Sequence, residues 1–385
     1  MTTQVFIDGG VGTTGIEIAD RLAGRPELSL IRLDEKDRKD ARSRRDALNA
    51  ADVVILCLPD DAAREAVALI DNDRTCVIDA STAHRVADGW TYGFPELEAG
   101  HREKLAASRF VANPGCWPTG FLALVRPLTL AGLLPTDWPV TVSGASGYSG
   151  GGKAMIAEYE GTNGAPTALR AYGLGLAHKH VPEMTRYSGL AHAPLFAPAV
   201  ANAYRGMLVE VPLQLRAMPG SPTLADVHAA LASAYAGSPI VSVAALADSD
   251  AMGKIDLEQV GATDRLQLFV FGNAAAGQAR LVAALDNLGK GAAGAAVQNL
   301  GQQHDQAFDL PPVAKMDMIA HVQAAVGAGS GFITGIFAEQ RHQFGGVLIA
   351  LSARKIWQLH CDPHYISGDT HWFAPFFNLR AISTL

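Results

Sequence analysis

Apolar and polar positions alternate in blocks along the first part of the chain. VFID, residues 5–8, is a short apolar run that ends in glycines, and IEIADRLAG, residues 16–24, carries apolar positions at helical spacing. Strand, turn and helix is the simplest interpretation. The alternation continues in LSLIRL at 28–33, DVVILCLP at 52–59, AAREAVALI at 62–70 and TCVIDAS at 75–81. Strands that alternate with helices predict right-handed crossovers and a parallel, Rossmann-type sheet.

The pattern changes near residue 138. PVTVSGASGYSGGG at 139–152, GMLVEVPLQLR at 206–216 and RLQLFVFG at 265–272 contain longer runs with period-2 alternation. Such runs predict a mixed or antiparallel sheet that is covered on one face. AGQARLVAALDNLGKGAAGAAVQNL at 276–300 is interpreted as one long helix followed by small residues, which packs back on the first domain.

These patterns predict an α/β protein with two domains and an extension. We expect a first domain over 1–115 that is completed by 275–300, and a second, α+β domain over 116–274. Residues 301–385 continue neither pattern and hold six of the twelve histidines. We assign no function to this extension.

Composition narrows the class of protein. The 385 residues are 49% apolar and 18% charged, which is typical of a globular protein rather than a disordered one. A net charge of −7 offers no basic surface for nucleic acid. We expect no secretory signal, no membrane span and no disulfide framework from the four scattered cysteines, and therefore a cytoplasmic protein.

A glycine motif stands between the first strand and the first helix. Gly10, Gly12 and Gly15 match G-x-G-x-x-G, with Thr13 and Thr14 between the last two glycines. At this position the glycines permit a tight turn, close approach of the pyrophosphate and close helix–strand packing. An ordinary glycine turn is the alternative, but the strand–helix context favours a dinucleotide site with these five residues in contact with the cofactor.

The sequence leaves NAD and NADP open. Asp34 follows the second strand, at about the offset where a carboxylate holds the ribose diol of NAD. A basic cluster that could hold a 2′-phosphate comes directly after it: Lys36, Arg38, Lys39, Arg42, Arg44 and Arg45. A solvated helix face explains this cluster equally well.

Cys116 is the candidate nucleophile. It lies in NPGCWPTG, between a Pro-Gly turn and the apolar run FLALV at 121–125, so it is expected at a helix start, where the dipole favours thiolate. The alternative, a small buried side chain, is our interpretation of Cys57 and Cys76. A thiolate nucleophile needs an acid–base partner, and His180, in AHKHVPE, is a better candidate than His178 because Pro182 stiffens its segment.

Further candidates flank these two residues. Ser81 and Arg85, in DASTAHR, follow a parallel strand at the sheet edge where open α/β sheets bind ligands, and Arg85 suits a phosphate or carboxylate. Ser146 lies in SGASGYSGGGK, a segment that offers backbone N–H groups to an anion or is a flexible loop. Lys179 and Glu183 stand beside His180. We predict that Ser81 binds the cofactor. The predicted substrate-binding residues are Arg85, Ser146, Lys179 and Glu183.

Together, GGVGTTG, DASTAHR, NPGCWPTG, SGASGYSGGGK, HKHVPE and GKGAAGAAVQN resemble, in order from residue 2 to about 300, the N-acetyl-gamma-glutamyl-phosphate reductase family, in its shorter subgroup. The resemblance implies the glyceraldehyde-phosphate dehydrogenase type of fold, with 116–274 as catalytic and oligomerisation domain. It also implies a homo-oligomer, a dimer or tetramer, that reduces N-acetyl-glutamyl 5-phosphate to the 5-semialdehyde in arginine biosynthesis.

The resemblance also assigns roles. It implies Cys116 as the nucleophile that forms a thioester and His180 as the acid–base residue. It favours NADP, with Arg38 and Lys39 near the 2′-phosphate, and it places Asn299 in the cofactor site.

The chain departs from the family pattern in two places. Trp117 stands where the family usually has tyrosine, and the chain runs on for 85 residues after the family ends. In that extension His360, Cys361 and His364 match no common zinc spacing, so we predict no metal. Two rival functions stay open at this point: an aspartate-semialdehyde dehydrogenase, and a dinucleotide-binding redox sensor without turnover.

Overall fold

A computed structural model describes residues 2–162 and 164–303. Within these ranges no helix is long and apolar enough to cross a membrane. The histidine-rich motif of the extension, with His360, Cys361 and His364, lies outside the described residues.

The first sheet is parallel throughout, and its strands are short and apolar because both faces are covered. Val53–Leu56, with the sequence VVIL, is completely buried at the centre. The strands are β1 Thr3–Asp8, β2 Leu28–Ile31, β3 Val53–Leu56, β4 Cys76–Asp79, β5 Thr91–Tyr92 and β6 Phe110–Ala112. Their order is β2-β1-β3-β4-β6-β5, and each neighbouring pair is parallel. The predicted Rossmann-type sheet is confirmed.

Helices cover both faces of this sheet. Its helices are α1 Thr13–Leu22, α2 Ala41–Ala50, α3 Asp60–Ala68, α4 His101–Ala106 and, from the far end of the described chain, α10 Gly294–Gln303. One core joins Ile18 of α1 and Val297 of α10 to the sheet, and a second core joins Leu48 of α2 to the opposite face. The segment that ends near residue 300 therefore packs on the first sheet, as the sequence predicts.

The second sheet is mixed. Its strands are β7 Thr141–Gly147, β8 Leu169–Ala171, β9 Leu195–Ala201, β10 Met207–Leu213, β11 Val241–Val243, β12 Leu266–Asn273 and β13 Gln278–Leu285. Their order is β11-β12-β13-β10-β7-β9-β8, with β7–β9 and β11–β12 parallel and the other pairs antiparallel. The expected α+β part with a mixed sheet is confirmed.

One long apolar helix, α5 Cys116–Leu130, forms the centre of the largest core. Its side chains pack on the inner face of the second sheet, where Phe121 and Leu124 share a cluster with Val142 and Val209. The other helices of this part are α6 Gly152–Glu160, α7 Val181–Ser188, α8 Leu224–Ala234 and α9 Leu246–Ala251. Burial of α5 fixes Cys116, its first residue, at the junction of the two sheets.

The prediction of one long helix over 276–300 is wrong. Residues Gln278–Leu285 form strand β13, which pairs with β12 and β10; a π-helical turn at Gly289–Ala293, here called the π-turn, precedes α10. Alternate residues enter two different cores: Leu281 and Leu285 face α5, whereas Val282 and Ala284 face the opposite side. Because both faces are covered, the alternation disappears from the sequence. The chain returns to the first sheet after Leu285, not at 275.

Candidate active site

Cys116 occupies the first position of α5, as predicted, and its residue is half-buried. Gly115 is the N-cap and carries no side chain that could compete for the first N–H groups of the helix. The preceding Asn113 is buried and donates from Nδ2 to the carbonyl oxygen of Ala292 at 3.0 Å. A Cβ on Gly291 would stand 2.8 Å from Cβ of Cys116, so the π-turn approaches the cysteine closely because Gly291 has no side chain. The π-turn therefore forms one wall around the cysteine.

Glu183 and Arg85 bind the same loop from the other side. The Glu183 carboxylate accepts from the Gly115 N–H, at 3.0 Å and 3.3 Å to its two oxygens, and from Nη1 of Arg85 at 3.3 Å. Arg85 also donates to the carbonyl oxygens of Asn113 and Ala80, at 3.0 and 3.2 Å. Burial raises the pKa of Glu183 to about 7, against the opposing charge of Arg85 and the Gly115 N–H. Glu183 thus holds the loop of Cys116, and its role as a substrate-binding residue stays a prediction.

His180 meets the cysteine loop edge-on. It is the N-cap of α7, with Pro182 in the first turn, and it is buried. A Cβ on Gly115 would stand 2.6 Å from Nε2 of His180, which places this nitrogen against the residue preceding Cys116. Nδ1 is buried and has no hydrogen-bond partner among the described residues. Burial, reinforced by the charges of Arg85 and then of His178 and Lys179, holds the pKa of His180 well below its usual range.

The electrostatics of Cys116 differ from the expectation. Burial raises the pKa of Cys116 to about 11, although the Arg85 guanidinium and the backbone N–H of Trp117 act in the opposite direction. The prediction that the helix start alone yields a thiolate is therefore wrong for the free protein, because removal of the sulfur from water outweighs the dipole. With these shifts Cys116 is a thiol and His180 a neutral imidazole at neutral pH. In that state His180 can accept the thiol proton as Cys116 reacts.

The glycine turn has the geometry of a phosphate site. Gly9 has φ +86°, and a Cβ on Gly15 would stand 2.5 Å from the Gly9 carbonyl oxygen, so neither position accepts a side chain without a shift. Helix α1 begins at Thr13 with Gly12 as N-cap and no capping side chain. The first N–H groups of α1 therefore remain available to an anion.

A cleft of about 290 Å³ lies at this turn. Its lining comprises Gly12, Thr13, Thr14, Gly15, Cys57, Leu58, Ala80, Gly152 and Lys153. Ala80 links the cleft to the cysteine loop, since its carbonyl oxygen accepts from Arg85. The close backbone packing at Gly9 and Gly15 and the uncapped start of α1 fit the pyrophosphate of a dinucleotide.

The basic cluster after β2 is partly neutralised. Arg44 pairs with Asp8 at 2.9 Å and with Glu65 at 3.3 Å, and Arg38 lies 3.4 Å from Glu35. Lys39 is exposed, at the end of a short 3-10 turn. Arg38 and Lys39 stay predictions for the 2′-phosphate, whereas Arg44 is engaged with two carboxylates.

Two residues predicted to contact the cofactor, Ser81 and Asn299, make hydrogen bonds within the protein. Ser81 donates its N–H and its hydroxyl to the two oxygens of the buried Asp79, at 2.8 and 2.7 Å, because the turn after β4 closes on that carboxylate. Asn299 is completely buried and donates to the Gly93 carbonyl oxygen and to Oδ1 of Asn113, at 2.9 and 3.0 Å. Both side chains brace the loops around the site, and their roles as cofactor contacts stay predictions.

The remaining two candidates differ in exposure. The buried hydroxyl of Ser146 donates to the Gly147 carbonyl oxygen at 3.1 Å, inside its own strand. Lys179 is exposed, and its charge lowers the pKa of the neighbouring His180. Lys179 therefore remains a candidate for an anionic substrate, whereas Ser146 is occupied.

Sequence reasoning missed three residues of the site. Asn113 and Gly291 connect the cysteine loop to the π-turn, and Lys153 lines the cleft opposite the glycine turn. Asn113 is adjacent to the Pro-Gly turn that drew attention to Cys116, so its position was a usable signal. Gly291 and Lys153 lie in the quoted segments GKGAAGAAVQN and SGASGYSGGGK, but the elements that they face are far away in the sequence, so local spacing did not single them out.

Comparison with known proteins gives consistent matches. Residues 4–106 match the family profile described as semialdehyde dehydrogenase, NAD binding domain, and residues 116–287 match the profile described as semialdehyde dehydrogenase, dimerisation domain. Over 305 residues the chain is 50% identical to the N-acetyl-gamma-glutamyl-phosphate reductase of Rhizobium etli, which covers 78% of this chain and 98% of the relative. With the enzyme of that name from Brucella ovis the identity is 52% over the same length and shares.

Solved structures are similar in fold. Aspartate semialdehyde dehydrogenase II of Vibrio cholerae, complexed with ASA, gives a TM-score of 0.60 at 16% identity, over 80% of this chain and 100% of that one. Aspartate semialdehyde dehydrogenase with NADP from Candida albicans gives 0.55 at 14% identity, over 79% of this chain and 99% of that one. At these identities the likeness shows the architecture alone.

Proposed function

The chain belongs to the N-acetyl-gamma-glutamyl-phosphate reductase family, and from this premise we propose that it catalyses the NADPH-dependent reductive dephosphorylation of N-acetyl-L-glutamyl 5-phosphate to N-acetyl-L-glutamate 5-semialdehyde. One observation carries the proposal: Nε2 of His180 faces the N-cap glycine of the helix that Cys116 begins. The reaction needs a nucleophile, an acid–base residue and a bound dinucleotide. Arg85 connects the cysteine loop to the dinucleotide cleft, because it donates to the carbonyl oxygens of Asn113 and of Ala80, which lines the cleft.

In the first half-reaction Cys116 attacks the acyl phosphate. Nε2 of His180 takes the thiol proton, Sγ bonds to the acyl carbon, and the carbon–oxygen bond to phosphate breaks. The leaving phosphate carries its electron pair away, and a thioester remains on Cys116. A neutral imidazole is the form that this step requires, and its lowered pKa supplies that form at neutral pH.

In the second half-reaction the thioester is reduced. Gly12, Thr13 and Gly15 would hold NADPH at the glycine turn, where it would supply the hydride that reduces the thioester carbon. The resulting oxyanion collapses to the aldehyde, the carbon–sulfur bond breaks, and the His180 imidazolium returns its proton to Sγ. Every atom of the thiol is restored, so Cys116 enters the next cycle unchanged.

Several finer assignments accompany this proposal. Arg85 is our candidate for the charge facing the acyl phosphate, since it is buried against the cysteine loop, and exposed Lys179 lies beside the same histidine. The match of 116–287 to a dimerisation domain supports a homo-oligomer. We keep the division into a first domain, 1–115 completed by the segment near residue 300, and a second domain that begins at 116. Because β13 belongs to the second sheet, the second domain extends to Leu285 rather than to 274. A role in arginine biosynthesis and a cytoplasmic location remain predictions.

The test is an assay of the purified full chain in the oxidative direction. We expect phosphate-dependent reduction of NADP with N-acetyl-L-glutamate 5-semialdehyde. Under the same conditions, kcat/KM with L-aspartate 4-semialdehyde should be lower by roughly tenfold or more. Cys116→Ser is expected to abolish turnover and to leave NADPH binding intact. Preference for the aspartate compound would indicate an aspartate-semialdehyde dehydrogenase. Dinucleotide binding without turnover would instead support the sensor.

A further inference from the structure

Lys153 lies across the cleft from the glycine turn. It is the second residue of α6, its residue is exposed, and it lines the cleft together with Thr13, Thr14 and Gly15 of the opposite side. It is the only charged side chain in that lining. No hydrogen bond or ion pair of Lys153 occurs within residues 2–162 and 164–303.

The other cations near α1 are already paired. Arg21 pairs with Glu17 and with Asp264, at 2.5 and 3.2 Å, and Arg205 lies 2.6 Å from Glu17. These ion pairs are partly buried and hold α1 against the second sheet, so their charges are compensated. The ammonium of Lys153 has no ion-pair partner among the described residues, and Lys153 lines the same cleft as the glycine turn, which offers backbone N–H groups and threonine hydroxyls.

We propose that Lys153 binds the pyrophosphate of the dinucleotide, opposite the N–H groups of α1. This inference rests on the proposed function only for the identity of the cofactor. An ammonium on a flexible stem acts as a point charge and tolerates several phosphate positions, which suits an exposed site at the edge of the cleft. Residues 4–106 supply the glycine turn and residues 116–287 supply Lys153, so the cofactor joins the two matched segments.

Binding of NADPH to the full chain tests the role of Lys153 directly. Titration of the nicotinamide fluorescence gives Kd for the wild type, Lys153→Met and Lys153→Arg. A charge-assisted contact to phosphate predicts about tenfold weaker binding for Lys153→Met and less than about threefold for Lys153→Arg, which keeps the charge. Lys254→Met is the matched control: Lys254 is also exposed and lies outside the lining of the cleft, so this substitution should leave Kd unchanged.

A second probe separates the pyrophosphate from the 2′-phosphate. Adenosine 2′-monophosphate lacks the pyrophosphate, so Lys153→Met should not change its inhibition constant against NADPH. Equal weakening of both ligands would reassign Lys153 to the 2′-phosphate and overturn the proposal. Unchanged NADPH affinity in Lys153→Met would also overturn it.

Lysine acetylation of the wild type gives a readout without any variant. NADPH should protect Lys153 from acetic anhydride and leave Lys254 reactive, as peptide mass spectrometry would show. Equal labelling of Lys153 with and without bound NADPH would contradict the contact. A wild type that binds no NADPH would refute the proposed function itself, whereas a binding wild type with an indifferent Lys153→Met refutes only this inference.

Discussion

Gly115→Ala tests the packing between the cysteine loop and the histidine. The backbone at Gly115, with φ −74° and ψ 153°, accepts alanine without strain. The new methyl group would nevertheless stand 2.6 Å from Nε2 of His180 and 2.6 Å from Nη1 of Arg85. Since carbon and nitrogen atoms pack at roughly 3.5 Å, the imidazole or the guanidinium must move by about 1 Å.

A displacement of this size has two expected effects. Misplacement of a catalytic group by about 1 Å costs roughly 100-fold in rate, so kcat should fall by about that factor. Overpacking of the buried loop should cost about 1–3 kcal/mol of unfolding free energy. The affinity for NADPH should not change, because the cleft at the glycine turn contains neither displaced side chain.

The assay is the phosphate-dependent reduction of NADP, with stability followed by urea unfolding. Gly253→Ala is the matched control: it adds the same methyl group at an exposed position where nothing lies within 4 Å. Wild-type kcat in Gly115→Ala would refute the argument that His180 and Arg85 work in contact with this loop. An equal loss in Gly253→Ala would attribute the effect to the backbone rather than to the contact.

Three further predictions concern buried titratable groups. Because the pKa of Cys116 is about 11, alkylation of Cys116 by iodoacetamide in the free protein should accelerate with pH to above pH 9, and a plateau below pH 8 would contradict that value. The ammonium of Lys290, 2.8 Å from Glu96 in a buried pair, predicts that Lys290→Met costs about 3–5 kcal/mol in urea unfolding; a cost similar to that of Lys254→Met, within about 0.5 kcal/mol, would refute the pair's importance. The pKa of His180 is lowered in the folded protein. Between about pH 6.5 and that lower pKa, only the unfolded chain binds a proton at His180. The folded state therefore loses stability as pH falls through this range. As pH falls through this range, the unfolding free energy of His180→Gln should rise relative to that of wild type by up to about 1.4 kcal/mol per pH unit. Parallel plots of unfolding free energy against pH for the two proteins would refute this.

Local patterns predicted the parts of the fold whose causes are local. Strand β3 is apolar because both faces are covered, and the glycine motif keeps its spacing because Gly15 meets the Gly9 carbonyl within one turn. The helix start at Cys116 follows from the Pro-Gly turn before it. In each case the physical constraint lies within a few residues of the pattern that reports it.

The errors arise where distant elements decide. Strand β13 is rich in alanine and leucine, and it becomes a strand because β10 and β12 provide pairing partners on both sides. The high pKa of Cys116 depends on burial by surrounding elements rather than on its own helix. Glu183 binds Gly115 across 68 residues of sequence, a contact that no local spacing could indicate.

The most direct measurement of the central claim is a single turnover without phosphate. Wild-type protein mixed with NADP and N-acetyl-L-glutamate 5-semialdehyde should release about one NADPH per active site and then stop, because no phosphate is present to cleave the acyl-enzyme. Peptide mass spectrometry should then find the N-acetylglutamyl group on Cys116, removable by hydroxylamine. A burst that persists in Cys116→Ser, or an acyl group on any other residue, would contradict covalent catalysis by this cysteine.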